Sequence, residues 1–251
     1  MPAPGVRRES RGFVQLAQVS PAPTFVANRS HTQALMKQSI VTLDFEGVLV
    51  PEIWIAVADK TGIPELRRTT REEPDFDKLM RGRLKILAEH GFTLSDIQQV
   101  IGTLGPLAGA KEFLDELRPM VQVIILSDTF EQFAAPLLRQ LGWPTLLCHR
   151  LAVENDRIVD YVLRLPEQKQ KAVAALKLLN YHVIAAGDSF NDTAMLSEAH
   201  VACLFRAPDN VKKQFPQFEA IESYASLMAL IKLAIRDAEG AEGVARGKTL
   251  P

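Results

Sequence analysis

The sequence predicts an α/β fold: a mostly parallel sheet with helices on both faces and a helical insertion after the first strand. Three observations carry this. Four short apolar runs, residues 40–43, 121–126, 183–186 and 201–205, lack the strict alternation of a half-exposed strand and suit strands buried on both faces. Helical patterns lie between them, as βαβ units require. The interval between the first two runs is too long for a simple crossover.

The elements follow in order. The first run ends in Asp44-Phe45-Glu46-Gly47. Residues 53–103 hold at least three helical patterns with few breakers, and read as an inserted helical cap beside the strand ends, where open α/β sheets bind ligands. One of these patterns, Phe76, Leu79, Met80, Arg83, Leu84 and Leu87, has i, i+3, i+4, i+7 spacing. A helix over 111–118 leads into the second run. Phe133, Leu137, Leu138 and Leu141 mark the helix after it. Alternation over 151–165 around Asn155-Asp156-Arg157 predicts a β-hairpin, and Val173, Leu176, Leu179 and Asn180 mark the helix before the third run. The expected division is an α/β core over 39–52 and 104–236, the cap over 53–103, and disordered ends over 1–38 and 237–251.

Composition narrows the class. At 251 residues, 47% hydrophobic and 24% charged, the chain reads as a globular domain with a small insertion. A net charge of −1 offers no broad positive field for nucleic acid or an anionic membrane surface, and no apolar run approaches a bilayer span. The N-terminal segment has four prolines, four arginines and one acid before residue 38, without the apolar stretch of a secretory signal. It reads as a disordered extension, or as a start codon placed ahead of Met36, although an organelle transit peptide has a similar composition. Cys148 and Cys203 read as buried free thiols of a cytoplasmic protein, and no Cys/His spacing suggests zinc.

Two strand tips carry carboxylates. Alternation places Asp44 and Glu46 on one side with Phe45 opposite. An acid pair there makes little sense for packing, because burying it is costly. It does suit a nucleophile and a general acid/base beside a divalent cation, and Gly47 permits the sharp exit. The third run ends in Gly187-Asp188-Ser189-Phe190-Asn191-Asp192. Magnesium prefers such oxygen ligands, with Asp188 as direct ligand and Asn191 and Asp192 as ligand or support; the same residue types also favour helix N-caps. Ser127 ends the second run in Ser127-Asp128-Thr129, where a hydroxyl and the amides of a helix N-terminus would cradle phosphate. Lys169 and Lys171 open the helix before the third run, and either could reach that phosphate. Arg83, on an apolar helix face, needs an anionic partner: a substrate carboxylate or a cap acid.

These motifs, in this chain order, resemble the haloacid dehalogenase superfamily of phosphotransferases over roughly residues 39–225. They look more specifically like phosphoserine phosphatases. Residues 44–54 and Leu126-Ser127-Asp128-Thr129-Phe130 are similar to the bacterial enzymes that are both phosphoserine phosphatase and phosphoserine:homoserine phosphotransferase. The resemblance implies a Rossmann-like parallel sheet sandwiched by helices and a magnesium-dependent reaction through an aspartyl phosphate. It implies Asp44 as phosphoryl acceptor and Glu46 as acid/base. Asp44, Asp188 and the Glu46 backbone carbonyl would sit on the metal, with Asp192 nearby. Ser127 and Lys169, or less favourably Lys171, would hold phosphoryl oxygens. Phe76 would shield the site, Arg83 would grip the substrate carboxylate and Glu52 would meet its ammonium. Most of the superfamily has Asp where Glu46 stands, and general phosphoserine phosphatases have Gly where Asp128 stands. Both departures match the bifunctional subgroup. The implied partners are phosphoserine as substrate and homoserine as an alternative acceptor to water, with a homodimer left open. Two rival readings are a related phosphatase for another small ester, and a receiver-type phospho-acceptor domain. The second fits poorly, since the acceptor lies here on the first strand and a large insertion follows.

Overall fold

The computed structural model describes residues 37–247 apart from 70, 71 and 74. The expected N-terminal extension, through residue 36, lies outside the described residues. In chain order, β1 (Ser39–Leu43) leads to three insertion helices, α1 (Ile53–Thr61), α2 (Phe76–Glu89) and α3 (Leu94–Gly102), with a 3-10 turn, Pro64–Arg67, after α1. Next come α4 (Ala110–Leu117), β2 (Gln122–Phe130), α5 (Glu131–Gln140), β3 (Thr145–Glu154) and β4 (Arg157–Val162). Then α6 (Gln168–Leu178), β5 (His182–Gly187), α7 (Thr193–Glu198), β6 (Val201–Phe205), α8 (Asp209–Gln214), β7 (Glu219–Ile221) and α9 (Tyr224–Gly247) complete the chain.

The seven strands form one sheet in the order β4-β3-β2-β1-β5-β6-β7. Every pairing is parallel except β3 with β4. Residues alternate between two apolar clusters along β5: Val183 and Ala185 pack in one, Ile184 and Ala186 in the other. Both faces of the sheet are therefore covered, which explains why the runs lack alternation. β1 lies in the centre, with β2 on one side and β5 on the other. The strand order reverses there, and a crevice opens beyond the carboxyl ends.

Local chemistry sets the insertion's ends. Gly62 closes α1 at φ 71°, Asp75 caps α2 by accepting from the Lys78 N–H at 3.1 Å, and Thr93 and Asp96 form a reciprocal capping box on α3. The predicted hairpin turns at Asn155 (φ 48°) and Asp156 (φ 64°), a two-residue turn that needs left-handed backbone at both positions.

Three readings change. β3 starts at Thr145, upstream of the predicted hairpin, because its first half pairs in parallel with β2. The short β7 leaves no signal in the sequence, since three residues carry no periodicity. Residues 237–247 are helical as the end of α9, where composition suggested disorder. The helix is anchored by burial of Leu227, Met228, Ile231 and Ala234, and once it is nucleated each further residue adds one hydrogen bond, which carries it through a stretch with three alanines and three glycines. Among the described residues, no helix is long and apolar enough to cross a membrane.

Candidate active site

Asp44 continues the ladder one residue past β1: its N–H donates to the Ala186 carbonyl at 3.0 Å. That bond fixes the carboxylate at the crevice. Phe45 turns into the core with no exposure, so Glu46 returns to the same side as Asp44. The Glu46 Oε2 accepts from the Ile53 N–H at 2.9 Å, at the start of α1. Burial and the charge of Glu52 raise the Glu46 carboxyl to about 8, against the pull of Ile53, Thr129 and Arg83. A carboxyl so raised carries a proton at neutral pH.

Lys169, on the first turn of α6, is buried and reaches Asp44 Oδ1 and Asp192 Oδ1, both at 2.8 Å. Burial works against its charge, but Asp192, Asp44 and Asp128 outweigh it and hold the ammonium well above the usual lysine range. Lys171 faces outward and pairs with Glu167 at 3.3 Å, so of the two lysines it is Lys169 that lines the cavity. Asp192 is completely buried. Its Oδ2 accepts from the Asp188 and Ser189 N–H groups, each at 3.0 Å, and from the Ser189 hydroxyl at 3.1 Å. It therefore braces both the loop after β5 and the lysine.

Asp44, Asp188 and Asp192 each place a carboxylate oxygen within 4.8 Å of the others. Burial, then the charge of Asp192, raises Asp44 well above the carboxylate range. The same two causes, joined by Glu52, raise Asp188 to about 7. Three carboxylates face one lysine, an imbalance that a divalent cation would relieve, and the all-oxygen donor set suits a hard ion such as magnesium. Both oxygens of Asp192 are committed to hydrogen bonds, so Asp44 and Asp188 are the freer ligands.

A cavity of about 380 Å³ lies over this cluster. Its lining includes Asp44, Glu46, Asp188, Asn191, Ser127, Asp128 and Lys169 from the strand ends, nearby loops and the start of α6, with Glu52, Phe76 and Arg83 from the insertion and its approach. The structure thus brings these residues together, Asp192 lying just behind, and leaves Lys171 outside the cavity. The Arg83 guanidinium is buried. Its Nη2 donates to the Arg68 carbonyl at 2.7 Å, Nη1 lies 3.6 Å from the Met80 sulfur, and Nε–H has no partner among the described residues. No carboxylate of the described residues comes within ion-pair distance, which removes the cap acid as its partner. Burial lowers this arginine to about 10, against the pull of Glu46, Glu52 and Glu72.

Residues 38–200 match the haloacid dehalogenase-like hydrolases. The chain belongs to this family. Among its relatives, phosphoserine phosphatase ThrH of Pseudomonas aeruginosa is 61% identical over 189 residues, 75% of this hydrolase and 92% of the relative. A phosphoserine phosphatase of Pseudomonas syringae pv. tomato is 61% identical over 189 residues, covering 75% of this chain and 80% of its own. A solved structure of a substrate-bound phosphoserine phosphatase complex shares the fold, with a TM-score of 0.64 at 20% identity over 79% of this hydrolase and 99% of that chain.

One local expectation is corrected. β2 does not end at Ser127 but continues through Phe130 after a register shift against β3, and α5 begins only at Glu131. Ser127 is therefore not at a helix N-terminus; its hydroxyl accepts from the Thr129 N–H at 3.2 Å.

Several neighbours were not read from the sequence. Gln168 donates to Asp128 Oδ1 at 3.2 Å, and His149 lies 3.6 Å from the same oxygen. Burial would raise Asp128, but the His149 contact, Lys169 and Gln168 hold it at about 2. Trp54 lies under Arg83. Gln168 adjoins Lys169 in sequence and could have been found from that; His149 and Trp54 come from other elements and leave no local signal. Cys148 and Cys203 are free, and burial pushes both thiols up to about 12, so neither serves as a nucleophile.

Proposed function

We propose that this hydrolase is a magnesium-dependent phosphoserine phosphatase, releasing serine and phosphate through an aspartyl phosphate on Asp44. The observation that carries the reading is the two-ended cavity. Asp44 and Lys169 line it from the sheet side, while Glu52 and Arg83, whose Nε–H has no partner among the described residues, line it from the side of the insertion. Phosphate, ammonium and carboxylate each find a complementary group there. The names and 61% identity of the two Pseudomonas relatives support the same substrate.

Both hydrogen bonds to the Asp44 side chain fall on Oδ1, from Lys169 and from the Phe45 N–H, which leaves Oδ2 as the attacking atom. It bonds to phosphorus as the phosphorus–seryl oxygen bond breaks, and protonated Glu46 gives its proton to the leaving oxygen. Ionised Glu46 then takes a proton from water. The water oxygen attacks phosphorus, the bond to Asp44 breaks, and phosphate leaves. Lys169 and Ser127 hold the phosphoryl oxygens throughout. Asp44, Asp188 and the Glu46 backbone carbonyl would hold magnesium, backed by Asp192, and the ion would offset charge on the phosphoryl oxygens.

The same base would serve the hydroxyl of homoserine, transferring the phosphoryl group in place of hydrolysis. Residues 53–103 act as the cap over a core of 39–52 and 104–236; Phe76 closes the cavity and Asn191 and Asp128 flank it. A cytoplasmic setting suits the free thiols.

Phosphate release from phosphoserine with magnesium, with and without homoserine, tests the reading. Asp44→Asn is expected to lower turnover at least about 10³-fold; a variant that keeps wild-type turnover would refute the aspartyl phosphate.

A further inference from the structure

Arg83 carries a buried charge with one main-chain acceptor, a weak contact to sulfur and an unpaired Nε–H. An isolated ion in such a place is costly to keep charged and in one orientation. Beneath it lies the indole of Trp54, with the Arg83 Cζ 4.6 Å from the ring centroid. The ring face is electronegative, and attraction to a cation grows as water is removed. Trp54 is itself fixed: Phe133 of α5, fully buried, meets it edge-on with centroids 5.3 Å apart. The contact thus runs from the core through α1 to α2.

We propose that Trp54 is a positioning residue for substrate recognition: it holds the Arg83 guanidinium over its face, charged and in one orientation at the cavity wall, for the carboxylate of an amino-acid phosphate ester. This rests on the assignment of Arg83 to that carboxylate. The rival role for Trp54 is that of an apolar filler, since it belongs to the core cluster and is 8% exposed. The two roles differ in what a substrate without a carboxylate would feel. A filler supports every substrate alike, whereas a guanidinium platform matters only to substrates that use Arg83.

The test compares Trp54→Leu and Trp54→Phe with the wild type on phosphoserine and on phosphoethanolamine, which keeps the ammonium and the phosphate ester but lacks the carboxylate. Trp54→Leu is expected to raise KM for phosphoserine about tenfold with kcat within about twofold, and to leave phosphoethanolamine unchanged. Trp54→Phe, which keeps a smaller ring face, falls between. An equal loss on both substrates, or an unchanged KM for phosphoserine, overturns the proposal. Arg83→Ala is measured alongside. If it affects both substrates alike, the carboxylate assignment itself fails and the role of Trp54 with it. If it selectively weakens phosphoserine while Trp54→Leu does not, Trp54 alone is dismissed.

A second measurement leaves position 54 intact. The chain has two tryptophans, and Trp143 is 60% exposed, so Asp44→Asn/Trp143→Phe reports Trp54 fluorescence without turnover. Phosphoserine is expected to change that emission saturably and phosphoethanolamine to leave it unchanged. Emission indifferent to saturating phosphoserine overturns the proposal even if Trp54→Leu fails to fold.

Discussion

Gly47 meets two demands at once. Its φ of +77° is one that side chains rarely tolerate, and a Cβ there would come within 2.4 Å of the Asp188 carboxylate. The first demand is that of the turn leaving β1; the second belongs to the site. Gly47→Ala is therefore expected to fold, with Tm lowered by a few degrees (about 1–2 kcal/mol of backbone strain). Asp188 would have to leave its place, and phosphatase kcat/KM should fall at least about 100-fold. Phosphate release beside a thermal melt checks this; activity within about threefold of wild type would show that the position of Asp188 is not critical. Residues of this kind were legible. Asp44, Glu46, Asp188 and Lys169 stand at strand tips or a helix start, where chain order alone predicts convergence. Trp54 was not, because its contact with Arg83 depends on how α1 meets α2, and no periodicity encodes that.

The helices of the insertion were legible from their apolar stripes, but their fastening to the sheet was not. The β3–β4 hairpin supplies it. The Tyr161 hydroxyl donates to Asp77 Oδ1 at 2.6 Å, and its ring meets Phe76 edge-on at 5.8 Å. At the turn, the Asp156 carbonyl accepts from the Leu94 N–H at 2.8 Å, and its carboxylate accepts from the Ser95 N–H at 3.1 Å. The hairpin was expected from alternation, yet nothing in a strand pattern says which helix it touches. Tyr161→Phe keeps the ring and removes the hydroxyl bond to α2. Such a solvent-facing bond is worth about 0.5–1 kcal/mol. Amide exchange over the first turn of α2 should therefore quicken about two- to fivefold, with β1 and β5 unchanged. Unchanged exchange in α2 would mean that the ring contacts alone secure the helix.

At the scale of the whole molecule, the parallel sheet was readable because buried strands and intervening helices leave a strong pattern, and the sheet in turn dictates where like charges gather. Without metal, that gathering works against stability. Asp188 has its folded-state carboxyl raised to about 7, first by burial and then by Asp192 and Glu52. An acid raised on folding binds its proton more tightly in the folded state than in the unfolded one. Its favourable contribution is complete below its unfolded value near 4 and is lost as pH rises towards 7. In EDTA at pH 8, Asp188 is thus ionised at a cost, and Asp188→Asn removes that cost. The variant is expected to melt about 2–4 °C higher than wild type under those conditions, with the gap closing as pH falls to 4. Millimolar magnesium should reverse the order: wild type gains stability by binding an ion that the variant holds poorly, and the variant has little phosphatase activity. Melting curves in EDTA and in magnesium, at pH 4, 6 and 8, decide the matter. If Asp188→Asn is no more stable than wild type in EDTA at pH 8, the carboxylates are not in electrostatic conflict, and the case for a cation among them loses its physical basis.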